Sequence, residues 1–209
     1  MPHSGWLPTI LLLMPNDGPR HDDPRVERTR AAVIDAAGEL LMTDGPGAIT
    51  HANVAAAAEV SRTTVYTHWP TRADLLRATI DSIRNHKPRI DALTGDLRAD
   101  LATLFQPLVD DLLDDQRAAA IATMMQRALF DPEVVAVRNE FLDEFTSVVG
   151  QVIADAVRSG RLRPDTDVSR AISSMLGSVM FRRFMSSEGF DASVVDDVLD
   201  DFIRLNTRA

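Results

Sequence analysis

The chain of 209 residues contains no cysteine. That excludes disulfide staples, thiolate metal sites and cysteine nucleophiles, and is compatible with a reducing cytoplasm. Aromatic residues are scarce, with one Tyr, two Trp and eight Phe. Strands favour aromatic and β-branched side chains, whereas Ala, abundant here, has the best helix propensity, so helix is favoured over sheet. The apolar run from Trp6 to Met14 is too short to cross a bilayer and is broken by Pro8. It also lacks the basic flank and cleavage site of a secretion signal, so no membrane role is expected. Residues 1–24 read as a disordered extension, with Met14 an alternative start that would leave residues 1–13 untranslated. Enzyme signatures are missing too: no HExxH, GxSxG, P-loop or Rossmann glycine pattern occurs. His3, His21, His51, His68 and His86 lack metal-ligand spacing. No catalytic residue, cofactor or metal site is expected.

What is present is enough apolar content, 45%, to bury a core. The net charge of −9 argues at first sight against nucleic acid, because phosphate neutralisation needs Lys and Arg. Its distribution removes the objection. Residues 1–95 carry 10 basic against 11 acidic side chains, and residues 96–209 carry 12 against 20. The acidity belongs to the second part, and the paired acids there read as solvated faces.

Helical periodicity runs through the chain. Val26, Val33, Ile34, Ala37, Leu40 and Leu41 recur at spacings of three, four and seven, which predicts an amphipathic helix over residues 25–43. Asp44-Gly45-Pro46-Gly47 stops it. Thr50 is then placed to cap a second helix, Ser61 a third ending at Trp69-Pro70, and Thr71 a fourth reaching to about Lys87. Asp96 caps a fifth, which Pro107 should kink or split. A sixth is expected over residues 117–129. Asp131-Pro132 opens a long seventh ending at Ser159-Gly160. The eighth starts at Asp167 and the ninth at about Asp191. The prediction is an all-α chain of about nine helices, divided into a helix-turn-helix domain over residues 25–90 and a helical bundle over residues 96–209.

The stretch from Thr50 to Arg72 carries the chemistry. Val54, Val65 and Trp69 fall on inward positions, leaving Arg62, Thr63, Thr64, Tyr66, Thr67 and His68 around the rest of the third helix. β-branched hydroxyl residues are poor choices for a solvated helix face, and they suit a groove-reading one. Arg can bond guanine with two donors, a Thr methyl can pack on thymine, and Tyr, His and Arg all donate to phosphates. This is the layout of a DNA-reading helix-turn-helix.

The sequence VSRTTVYTHWPTR, Val60 to Arg72, resembles the DNA-binding signature of TetR-family transcriptional regulators. RAAVIDAAGELLMTDG and ITHANVAAAAEV resemble that family's first and second helices. Position by position, the resemblance implies phosphate contacts from Thr50, Tyr66, His68 and Arg72. It implies base or groove contacts from Arg62, Thr63, Thr64 and Thr67, with His51 beside them. Two departures stand out: Glu59 occupies a turn position where glycine is usual, so a left-handed backbone is expected there, and Arg72 replaces a lysine.

For the second part the resemblance implies an effector pocket and a dimer contact. Phe105, Met124, Met125, Phe141, Phe145 and Met175 lie on helices that would surround a small-molecule effector. Leu176, Met180, Phe184, Val195, Val198, Leu199 and Phe202, on the last two helices, would form a four-helix homodimer interface, and Gly177 would permit close approach. The implied function is that of a cytoplasmic, sequence-specific DNA-binding regulator: a homodimeric repressor released from a double-stranded DNA operator by a small molecule. The alternative is a helical ligand-binding or scaffold protein that has lost DNA binding.

Overall fold

The computed structural model describes residues 24–83 and 92–207. The expected extension lies outside the described residues apart from Pro24, which opens the first helix. Among the described residues there are nine α-helices and no strand. They are α1 (Pro24–Asp44), α2 (His51–Ala57), α3 (Arg62–His68), α4 (Arg72–Ile83), α5 (Leu97–Leu113), α6 (Asp115–Arg127), α7 (Pro132–Arg158), α8 (Val168–Phe184) and α9 (Ser193–Asn206).

The helix starts follow from short polar side chains. Oxygens of Thr50, Ser61, Asp96, Asp114, Asp131 and Asp167 each accept from a backbone N–H two or three residues on, meeting the donors a helix start leaves open. At α4, Thr71 and Asp74 cap reciprocally: Thr71 N donates to Asp74 Oδ2, and Asp74 N donates to Thr71 Oγ1. Three boundaries differ from the periodicity. Pro107 sits inside an unbroken α5, where buried Leu104, Phe105, Val109 and Leu112 hold the turns on either side of the lost hydrogen bond. Helix α6 begins two residues early because Asp114 caps it. Helix α9 begins at Ser193 because Asp191 accepts from both the backbone N–H and the hydroxyl of that residue.

The apolar faces collect into two cores. One joins α5 to the inner faces of α6, α7, α8 and α9, around Phe105, Leu112, Ile153, Leu162 and Leu199. The other joins α1 to α4 around Val33, Val54, Val65, Leu75 and Leu76, and includes Ala128, Val134 and Val137 from the α6–α7 corner. The N-terminal helices therefore do not close their core alone. Helix α6 also presses a side chain against the turn after α1. At Gly45, φ is 77° and a Cβ would lie 2.7 Å from Thr123 Cγ2 of α6, so only glycine fits the turn after α1. No helix among the described residues is long and apolar enough to cross a membrane.

Candidate nucleic-acid interface and adjoining cavity

The turn between α2 and α3 sets the geometry of the exposed face. Val60 N donates to Ala55 O and Glu59 N to Ala56 O, the paired bonds of a Schellman motif. Glu59 occupies the position that glycine favours, with φ 54°, the left-handed backbone expected from the sequence. Ser61 then starts α3, its Oγ accepting from Thr64 N and lying 2.8 Å from Thr64 Oγ1.

On the seven-residue α3, Val65 is fully buried, and Trp69 at its end is 6% exposed. Arg62, Thr63, Tyr66 and Thr67 are exposed, and the pairs Arg62/Tyr66 and Thr63/Thr67 lie one turn apart on one face. Arg62 is tied by no hydrogen bond to the described residues. Thr67 Oγ1 donates back to Thr63 O at 2.8 Å, which holds its hydroxyl against the helix. Thr64 and His68 are half-buried at the flanks, the His68 ring edge-on to Trp69 with centroids 5.6 Å apart. Thr50 is half-buried beside this face, its hydroxyl accepting from Asn53 N. The structure thus gathers Thr50, Arg62, Thr63, Thr64, Tyr66, Thr67 and His68 around one open helix.

Two expected contacts are placed elsewhere. His51 is 8% exposed, and its Nε2 lies 2.7 Å from Trp69 O. A carbonyl only accepts, so Nε2 carries the proton. The imidazole also stacks beneath the Tyr66 ring, with centroids 3.8 Å apart and planes 9° from parallel. His51 therefore supports Tyr66 and has no open edge for a base. Arg72 is turned inward. Its Nε donates to Ile49 O and its Nη2 to Pro46 O, both at 2.8 Å. Nη1 meets Asp131 Oδ2 at 3.0 Å and Glu133 Oε2 at 2.8 Å. Every guanidinium nitrogen is engaged, so in this conformation the side chain binds the start of α4 to α7 and is not free for a phosphate.

The Arg72 site is electrostatically tuned. Burial works to raise the Asp131 pKa, but the Arg72 charge, the Val134 N–H and hydrogen bonds from Arg72 and Arg127 outweigh it and hold the carboxyl below its ordinary range. One turn along, Arg77 of α4 donates through Nε and Nη2 to the two oxygens of Glu140 on α7, and through Nη1 to Asp74. Sequence reasoning marked Asp131 only as a cap and passed over Glu133, Arg77 and Glu140.

Between the two cores lies a cavity of about 460 Å³. Of the expected pocket residues, Met124, Met125, Phe141 and Phe145 line it. Phe105 and Met175 do not; both are buried in the bundle core. Leu176 and Met180, expected at a dimer contact, face the cavity instead. Its wall is completed by Leu41, Ile80 and Ile83 of α1 and α4, so it opens directly onto the helices that carry α3. Of the other residues expected at the dimer contact, Val195, Leu199 and Phe202 are buried in this chain's own core, and Phe184 and Val198 are half-buried beside it. The outward strip of α8 and α9 is formed by Ser173, Ser174, Gly177, Ser178 and Phe181 with Asp197 and Asp201, one helical step round from the residues the pattern suggested.

Comparison with known proteins agrees with this architecture. The family described as "Bacterial regulatory proteins, tetR family" matches residues 33–79, and "Tetracyclin repressor-like, C-terminal domain" matches residues 91–202. The chain is 29% identical over 171 residues to an uncharacterized HTH-type transcriptional regulator, Mb1581, of Mycobacterium bovis, covering 78% of this chain and 80% of that protein. It is 28% identical over 182 residues to the HTH-type transcriptional regulator TtgR of Pseudomonas putida, covering 79% and 84%. Among solved structures, that of NalD, the secondary repressor of the MexAB-OprM multidrug efflux pump in Pseudomonas aeruginosa, superposes with a TM-score of 0.66 at 25% identity over 89% of this chain and 99% of that one. The chain belongs to the TetR family of helix-turn-helix, DNA-binding transcriptional regulators.

Proposed function

We propose that this regulator is a homodimeric repressor whose hold on its operator is released when a small molecule occupies the cavity between the two cores. The observation that carries the reading is the cavity's position: its wall includes Ile80 and Ile83 of α4 and Leu41 of α1 as well as α5 to α8. A ligand that fills the space bears directly on α4, and α4 is joined to α3 by only Trp69, Pro70 and Thr71. Two recognition helices of a dimer enter successive major grooves about 34 Å apart, so a small rotation of each head spoils the match. By linkage, operator DNA weakens effector binding by the same factor.

At the DNA, Arg62, Thr63, Thr64 and Thr67 read bases in the groove, while Thr50, Tyr66 and His68 grip phosphates. His51 acts indirectly by holding the Tyr66 ring. Dimerisation uses the outward strip of α8 and α9, where Gly177 has nothing within 4 Å of a would-be Cβ and leaves room for a partner helix. The cytoplasm, where the operator lies, is its place of action.

Titration of the purified full chain against DNA from around its own gene tests this. Expected are sequence-selective, salt-dependent binding and its loss in the Arg62→Ala/Tyr66→Ala double variant, each truncation costing about 1–3 kcal/mol. Normal binding by that variant would sink the residue assignments. Operator binding unaffected when Ala120→Trp fills the cavity would sink the release mechanism.

A further inference from the structure

The cavity wall is apolar except at two places, and these differ in electrostatic state. Where α5 meets α6, Arg117 Nε lies 3.2 Å from Asp111 Oδ1 and its Nη2 lies 3.6 Å from Asp114 Oδ2. The cation there already has its counter-charges. Near the start of α7, Arg138 stands one turn before Phe141 and Leu142 and shares their cavity-facing side. Its Nε and Nη2 donate to Asn139 Oδ1 at 3.2 and 2.8 Å, a neutral acceptor, and no carboxylate among the described residues pairs with it. Three acids of the same helix end are committed elsewhere: Asp131 and Glu133 to Arg72, and Glu140 to Arg77.

Arg138 is half-buried, and a guanidinium at the edge of an apolar wall, where hydration is reduced, gains no counter-charge from the described residues. The group that restores the balance must come from outside. Guanidinium presents a planar fork matched to a carboxylate, and such charge-assisted pairs are stronger than neutral hydrogen bonds.

We propose that the cavity takes an apolar molecule bearing one anionic group, a carboxylate in the simplest case. The anion sits on Arg138, and the apolar body lies among Phe141, Phe145, Ile80 and Ile83. This rests on the cavity's being the effector site. It adds the chemical class of the effector and names Arg138 as the residue that selects it. A neutral ligand leaves the guanidinium unanswered, and a cationic one is repelled. Because Arg138 lies close along α7 to Glu140, the partner of α4, an anion held there is also placed beside the contact between α7 and the DNA-binding helices.

The test uses the full chain, with the neutral fluorescent dye N-phenyl-naphthylamine as cavity reporter and decanoate, decanol and decylamine as competitors at neutral pH. Decanoate should displace the dye at a concentration about tenfold or more below that needed for the alcohol or the amine, an advantage that shrinks with added salt. Decanoate should also release bound operator DNA. Arg138→Gln should abolish that advantage while leaving decanol's midpoint in place, and Arg138→Lys should restore part of it. If the dye binds and Ala120→Trp blocks it, but decanoate competes no better than decanol, the cavity reading stands and the anionic class is overturned. An equal loss of decanoate and decanol binding in Arg138→Gln also overturns it, since the arginine would then be shaping the wall only. Failure of the dye to bind at all removes the cavity reading and the ligand class together.

Discussion

Glu59 holds a left-handed backbone, φ 54°, in a turn whose hydrogen bonds would form equally well around glycine. An L side chain in that region costs about 1–2 kcal/mol, and part of this is offset because glycine adds freedom to the unfolded chain. Glu59→Gly should therefore raise stability by about 0.5 kcal/mol in urea denaturation. Glu59→Ala should not, and an equal gain from alanine would show that the charge, not the backbone, was at fault. His51 presents the opposite case. Its ring unites a buried hydrogen bond to Trp69 O with a stack under Tyr66. His51→Ala should cost about 2 kcal/mol of stability. It should also weaken DNA binding more than stability alone accounts for, which a comparison with Tyr66→Phe at matched folded fractions would reveal. Both residues bear on what could be read from the chain alone. The caps at Thr50 and Ser61 and the strain at Glu59 were legible because each depends on neighbours within a turn. The roles of His51 and Arg72 were not, because their partners are 18 and 59 residues away along the chain.

At the scale of elements, α4 and α7 face each other through two sets of ions, Arg72 with Asp131 and Glu133, and Arg77 with Glu140. The first is the more sheltered, with side-chain exposures of 17% for Arg72 and 10% for Asp131. Truncating one partner there strands the other, so Arg72→Ala should destabilise the chain by about 2 kcal/mol. The outer pair contributes less, since water screens it. Asp131 also gives the contact a pH dependence of defined sign. Its carboxyl titrates lower in the folded chain than in the unfolded one. The stabilisation it supplies is therefore complete above the unfolded carboxylate value, about 4, and fades as pH falls through the lower folded value. Urea midpoints measured between pH 5 and pH 2 should fall more steeply for the wild type than for Asp131→Asn, and parallel curves would remove Asp131 from the account. Helix existence and caps were written in local patterns, and so was the choice of inward faces. The docking of α4 on α7 was not, since a carboxylate that caps its own helix looks the same whether or not an arginine from another element arrives. Of the kink or split that Pro107 implies, the split does not occur, because the buried neighbours in α5 keep it one helix.

At the scale of the whole molecule, the acidic total of −9 and the DNA-binding role are reconciled by where the acids stand, with the surplus after residue 95. The outward strip of α8 and α9 follows the same division: Asp197 and Asp201 flank a path of Ser173, Ser174, Gly177 and Ser178 that ends in an exposed Phe181. In the proposed two-fold contact the same strip meets itself; Asp201 is already paired with Arg204, and Arg182 with Glu188, which leaves Asp197 as the acid to be answered across the axis. In that proposed contact small residues let two copies of α8 approach, and Phe181, 58% exposed in the single chain, is a large apolar group placed on the strip to be buried between them. Phe181→Asp adds a third negative charge to a strip that already holds two and removes its largest apolar surface. That variant should run as a monomer in sedimentation while keeping its helical content, because Phe181 supports neither core. Operator affinity should fall by about a hundredfold or more as two half-sites cease to be held together, since linked sites gain that much from effective concentration alone. Binding to an isolated half-site should remain as it was. A Phe181→Asp protein that stays dimeric would move the interface off α8 and α9, whatever its affinity for DNA.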